Sequence, residues 1–364
     1  MRAKLLAWIL LSCIGIATHA ATAPTATFST LTANPAGPLV EGEHGRFFFF
    51  GVAGHGDDLN AVFKFTPAGK VALVARFTER DGRDPTGLLL ASDGNLYGTF
   101  QNDTRYSVHA SGSVFKLTQA GNLTTLHLFA GGNEGSGPTT GLIQGRDGNF
   151  YGTTQSGGTG DFGFGTIFKI TPAGQLTTLH AFAGGEDGWS PRDNLIEAND
   201  GNFYGTTPFS AGYGGTIYKI SPSGQKTTLH QFKKNDGEPS GLIQGHDGNL
   251  YGTTTMGTVQ RGSIFRITLA GELTPLYVFS LRGGSAPNSG LVEGNDGSLY
   301  GTTDPGGSLV PGTVFRLDTS GHLTTLHEFR DNEGTVPNGL VLARDGNLYG
   351  STEKVFFRLT LGQP

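Results

Sequence analysis

At 364 residues, with 25 Lys and Arg against 30 Asp and Glu, the chain is long enough for a large core. Its basic residues are too few and too scattered to favour nucleic acid or an anionic membrane surface as a partner. The 60 glycines fall at regular places, which excludes a collagen-like or low-complexity chain, and a single cysteine excludes internal disulfide staples.

The first predicted element is a leader. Met1-Arg2-Ala3-Lys4 is a short basic start, Leu5 to Ile16 is apolar, and small residues follow through Ala20. This predicts a signal peptide over residues 1–20, too short for a stable membrane span, with no later run apolar enough to cross. Export to the periplasm or beyond is expected. Loss of Arg2 and Lys4 takes the 25 basic residues to 23 against 30 acidic ones, a net charge of −7. Cys13 stands in Leu-Leu-Ser-Cys, weakly similar to a lipoprotein box, but the apolar run continues past it through Ile16.

After the leader the chain repeats itself. The phrase Asp-Gly-Asn-Leu-Tyr-Gly-Thr-Thr begins at Asp247, with near copies at Asp93, Asp147, Asp200, Asp296 and Asp345. The marker tyrosines are Tyr97, Tyr151, Tyr204, Tyr251, Tyr300 and Tyr349, at steps of 54, 53, 47, 49 and 49. A worn copy puts Phe48 on the same position, another 49 residues upstream. Such a period signifies a repeat architecture.

Each unit holds four short β-prone runs, here called A to D. In the third unit they begin at Gly141, Asn149, Gly165 and Gln175. Asp-Gly between A and B and Pro172-Ala173-Gly174 between C and D are tight-turn signals. The prediction is an all-β, seven-bladed β-propeller of four-stranded antiparallel blades over residues 22–364, one domain. The last unit stops after its strand C, and Phe28 lies 11 residues before Leu39 just as Phe329 lies 11 before Leu340. Residues Thr22 to Phe28 are therefore expected to supply the missing strand D and close the ring.

Two recurring features invite chemistry. Histidines 127, 180, 230 and 327 share a position in strand D, but Ala26, Ala75 and Tyr277 are assigned the same position, which argues against a metal site. An acidic residue precedes Gly in five D–A junctions, at Asp81, Glu134, Asp187, Asp236 and Glu333, and is read as turn chemistry rather than a calcium loop. No cofactor or catalytic signature is present, so no catalytic residue, metal or cofactor is assigned.

The A–B and C–D turns are short and uniform. The B–C loops and D–A junctions, at the opposite end, are long and differ between blades, so binding is expected there. These segments carry Tyr106, Asp161, Phe162, Phe164, Trp189, Arg192, Tyr213 and Arg261, the expected ligand-binding set on blades two to five.

The phrase Gly-Leu-Ile-Gln-Gly, Asp-Gly-Asn-Leu-Tyr-Gly-Thr-Thr, Gly-Thr-Ile-Phe-Lys-Ile-Thr, Leu-Thr-Thr-Leu-His resembles the GloVer tandem repeat of secreted bacterial proteins with a choice of C-terminal anchors. The resemblance implies export and a propeller-like fold and brings no catalytic residues with it. The C-terminal Leu359-Thr360-Leu361-Gly362-Gln363-Pro364 matches no anchor. The expected function is a monomeric, non-enzymatic binding or scaffold module for a glycan or protein. The alternative rests on a similarity of Asp-Gly-Asn-Leu-Tyr to phrases of virginiamycin B lyase and gluconolactonase-like propellers, whose metal-dependent chemistry would here have to use His55, Asp57, Asp58, His109 and Asp161.

Overall fold

The computed structural model of the protein describes residues 26–33, 36–52, 61–66, 68–78, 81–102, 111–158, 163–211, 214–255, 262–279, 287, 289–305 and 311–362. The leader at 1–20, with Cys13, lies outside them. Seven four-stranded antiparallel sheets make a seven-bladed β-propeller, and among the described residues helix is limited to single turns at Glu43–Gly45, Gly132–Glu134 and Gly185–Asp187. No helix among the described residues is long and apolar enough to cross a membrane.

Blade three shows why the repeat folds this way. Its strands are A, Ile143–Gln144; B, Phe150–Thr154; C, Thr166–Ile170; and D, Leu176–Ala181. Between A and B the Gly148 amide donates to the Gly145 carbonyl at 2.9 Å, and Gly148 sits at φ +78°, a conformation a Cβ would strain. Asp147 accepts from the Asn149 amide at 3.0 Å, from its side chain at 2.7 Å and from the Tyr151 hydroxyl at 2.8 Å. The repeated phrase is thus one device that closes a hairpin and anchors a tyrosine.

The ring of that tyrosine binds the neighbouring blade. Tyr151 lies 3.9 Å from Phe203 and Tyr97 lies 4.1 Å from Phe150, centroid to centroid. Seven apolar clusters result, each straddling one seam between blades. The core is therefore a ring of interfaces, and no blade buries its faces without its neighbours.

Polar clasps reinforce most seams. The Gln or Glu at the end of strand A accepts an amide from the previous blade's turn: Gln144 from Ser92, Glu197 from Arg146, Gln244 from Asn199 and Glu293 from His246, each at 2.8 Å. Glu41 of blade one accepts from Arg344 of blade seven at 3.1 Å. Leu90 and Leu342 stand at the corresponding positions of blades two and seven.

The ring closes with an N-terminal strand, as the repeat count requires, but in a different register from the expected one. Ala26–Ala33 pairs with Val355–Leu361, with Phe28 opposite Leu359 and Thr32 opposite Phe356. The strand therefore runs through Ala33 instead of ending at Phe28; residues 22–25 lie outside the described set. Phe28 holds the start of the strand because its ring stacks on His327 at 3.6 Å and on Phe357 at 5.3 Å. That is the place of Leu123, opposite Leu117, in blade two. Thr32, not Ala26, consequently occupies the recurring histidine position.

Candidate functional site

The D–A junction from blade three to blade four crosses the loop-bearing face from the outermost strand of one blade to the innermost strand of the next. Three of the expected binding residues lie on or beside it. Trp189 packs between Phe164 and Phe209, each ring 6.0 Å away, and the Arg192 guanidinium lies 5.2 Å over Phe209. The Trp189 amide donates to the Phe209 carbonyl at 3.0 Å, and the Ser190 amide to the Phe164 carbonyl at 2.8 Å. These bonds hold Ser190 at φ +54°, where the preceding junction has Gly137 at +64°. A side chain in that conformation persists only when its surroundings impose it. Phe209 was not among the expected residues; it sits in a B–C loop already singled out for its length, and only the bridge to Trp189 makes it part of the cluster. Tyr106, Asp161, Phe162, Tyr213 and Arg261 lie outside the described residues.

Toward the axis the junction enters strand A of blade four. In neighbouring blades the strand-A glycines meet backbone to backbone: a Cβ on Gly87 would overlap Gly141, and one on Gly241 would overlap Gly290. Just before each stands a short polar residue that pairs with strand B thirteen residues on. Examples are Thr140 with Thr153 at 3.2 Å, Ser289 with Thr302 at 2.8 Å and Asn338 with Ser351 at 3.3 Å. Blade four departs twice. Asp193 fills the polar position, accepting from Thr206 at 2.6 Å and from Ser240 of blade five at 3.1 Å, and Asn194 replaces the glycine. Burial pushes the Asp193 carboxyl upward, against the pull of Thr206, Ser240 and the Gly241 amide.

The outer half of the same blade departs again. Lys226 stands where other blades carry Leu176, Leu273 or Leu323, its ammonium 2.6 Å from Asp187 and 5.2 Å from the rings of both Phe182 and Tyr218. Burial depresses the Lys226 ammonium and Asp187 opposes that shift. Tyr218 replaces the phenylalanine of the other blades; it is 0 % exposed and its hydroxyl has no hydrogen-bond partner. An unsatisfied buried hydroxyl costs about 1–3 kcal/mol. Tyr218→Phe is therefore expected to raise the unfolding free energy by about 1 kcal/mol, measured by denaturant titration; a loss of stability would show that the hydroxyl has a partner after all.

Three of the four repeated histidines belong to local clasps, while His230 packs edge-on against Phe232. His127 lies 3.1 Å from Glu134, His180 2.9 Å from Asp187 and His327 3.0 Å from Glu333. Each acid also accepts a backbone amide, from Ala130, Ala183 and Arg330 respectively. The acidic residue before the junction glycine thus serves its own turn, and the recurrent spacing from histidine to acid is the sequence signal that couples the two. Among the described residues no three His, Cys, Asp or Glu side chains converge as a metal would require.

Comparison with known proteins gives a family and a fold. The family model described as Gloeobacter/Verrucomicrobia repeat matches residues 16–212 and 191–356. No curated protein sequence matches the chain. Among solved structures, a streptogramin B lyase superposes with a TM-score of 0.69 at 18 % identity, covering 93 % of this chain and 98 % of that one. The extracellular domain of a one-component system from B. thetaiotaomicron gives 0.64 at 11 % identity, over 92 % of this chain and 40 % of that one. An oligogalacturonate lyase in complex with manganese gives 0.63 at 12 % identity, over 93 % and 97 %. At such identities the likeness is one of fold.

Proposed function

The chain belongs to the Gloeobacter/Verrucomicrobia repeat family, and from that premise we propose that it is an exported, monomeric binding module that takes a glycan on the loop-bearing face. The observation that carries this reading is the cluster of Phe164, Trp189, Phe209 and Arg192, held in place by the strained backbone at Ser190. Partly exposed rings on a rigid scaffold offer flat apolar surface to a sugar face at little entropic cost, and an adjacent guanidinium can donate to hydroxyls. The aromatic residues are not repeated from blade to blade, as a single asymmetric site requires.

A glycan array probed with the parent and a Trp189→Ala, Phe209→Ala double variant tests it. Hot-spot aromatics contribute about 2 kcal/mol or more, so the variant should bind roughly thirtyfold more weakly. Equal binding by parent and variant would show that the site lies elsewhere; a parent that binds no glycan ends the saccharide reading. The metal-dependent enzyme alternative depends on His55, Asp57, Asp58, His109 and Asp161, all outside the described residues. Divalent metal in stoichiometric amount in the purified protein would favour it.

A further inference from the structure

Asn194 has a place in the fold that no other asparagine shares. It lies two residues before the innermost strand of blade four, Ile196–Glu197, where the junction from the loop-bearing face turns toward the propeller axis. The corresponding residue is Gly87, Gly141, Gly241, Gly290 or Gly339 in blades two, three, five, six and seven. Gly87, Gly141 and Gly241 pack against the adjacent blade's backbone with no room for a side chain, while Gly290 and Gly339 meet their neighbours more loosely. Asn194 departs from these glycines: its carboxamide reaches toward Gly141, is exposed, and has no hydrogen-bond partner among the described residues. Asp193 beside it is half-buried, its carboxylate occupied by Thr206 and Ser240, which fix the segment that carries Asn194.

Nothing in the fold requires the carboxamide, since glycine does the structural work at the same place in five other blades. A free amide on a fixed segment is, however, a ready recognition group, because it offers two donor hydrogens and a carbonyl oxygen in one plane. It is joined to the aromatic cluster by the four residues that follow Trp189 along the junction. We propose that Asn194 is the inner, specificity-determining contact of the site, reading a pair of adjacent hydroxyls on a neutral sugar whose ring stacks on the aromatic cluster. This rests on the saccharide reading above and adds to it the class of sugar and the direction of approach, from the loop-bearing face into the channel mouth. Neutrality follows from the neighbourhood. The amide is uncharged, the Asp193 carboxylate is occupied by Thr206 and Ser240, and Arg192 is engaged over Phe209 with Glu238 near enough to feel its charge.

Asn194→Gly, which restores the residue of the other blades, is the test. Parent and variant are compared on an array holding neutral oligosaccharides and uronic-acid oligosaccharides of matched linkage, with thermal melts of both. The expected result is a parent that prefers neutral sugars and a variant that melts within a few degrees of it but binds about tenfold more weakly, the equivalent of losing one or two hydrogen bonds. Equal binding by the variant overturns the assignment of Asn194 while leaving the saccharide reading intact. A parent preference for uronic acids overturns the class of sugar. A parent that binds neither set overturns the saccharide reading and this inference with it. Asn194→Gln, which keeps the amide but moves it by one methylene, separates recognition from packing: weakened binding with an unchanged melt supports recognition, and parent-like binding argues against a fitted contact.

Discussion

Deletion of residues 26–33 is expected to remove the cooperative unfolding transition or to lower Tm by about 10 °C or more. The strand contributes a full ladder to Val355–Leu361, and without it that strand becomes a bare sheet edge. The loss also takes Phe28 from its stack against His327 and Phe357, opening the seam between blades six and seven. Phe28→Ala alone should cost about 2–3 kcal/mol, less than the full value for a completely buried phenylalanine because the ring is half-buried. A chain starting at residue 26 should melt like the parent. This set separates the register seen here from a closing strand over 22–28, for which loss of 22–25 would already be damaging. If the chain lacking 26–33 melts like the parent, ring closure by this strand is wrong.

Acid is expected to unfold the protein steeply. At Asp93, partial desolvation works toward a higher pKa, but the bonds from Asn95, Lys116 and Tyr97 outweigh it and hold the carboxyl well below the usual range. The turn carboxylates Asp147, Asp200, Asp247, Asp296 and Asp345 are shifted in the same direction by similar partners, as is Asp187 by His180 and Lys226. A carboxyl depressed in the folded state stabilises above its unfolded pKa, and that stabilisation is lost as pH falls. The window therefore lies below about pH 4. Solvent screening at the turns keeps each contribution below its full linkage value. With seven such groups, unfolding should still bind more than one extra proton, a slope above about 1.4 kcal/mol per pH unit between about pH 4 and pH 3. Asp193 runs the other way: its raised pKa means that the folded state holds its proton more tightly, so its contribution is greatest in acid and is lost as pH rises. Urea titrations at several pH values measure the slope; a flat profile down to pH 3 would mean that the turn carboxylates are not held as described.

The architecture was legible because its signals repeat. One tyrosine marker at a nearly fixed step counts the blades, and Asp-Gly and Pro-Ala-Gly name the turns. The closing strand was misregistered for a physical reason. Phe28 has the right distance to the next unit to be a seam phenylalanine, yet it stacks at the other end of its strand, and spacing alone does not distinguish the two. Of the site, Trp189, Phe164 and Arg192 were visible as departures from the repeat in long loops. Asp193 was not, because threonine, serine, asparagine and aspartate fill one short polar slot around the axis. Asn194 was hidden likewise, since its meaning depends on the glycines from which it departs. The clasp residues, Gln144 and its equivalents, look like ordinary polar strand ends until the amide of the previous blade is seen to reach them.

The seventh blade is woven from segments that flank the other six blades in sequence, and this has a consequence for its biogenesis. Blades one to six are contiguous and can assemble in order as the polypeptide emerges from a ribosome or a translocation pore. The segment Ala26–Ala33 appears before them and has no partner until Val355–Leu361 emerges after them. It must wait through the synthesis of the six intervening blades with its backbone groups unmet, and its short length and Ser and Thr content make it a poor template for aggregation meanwhile. Ring closure is therefore a length check: a product cut short before Val355 leaves Ala26–Ala33 without its partner strand and the seventh blade unfinished.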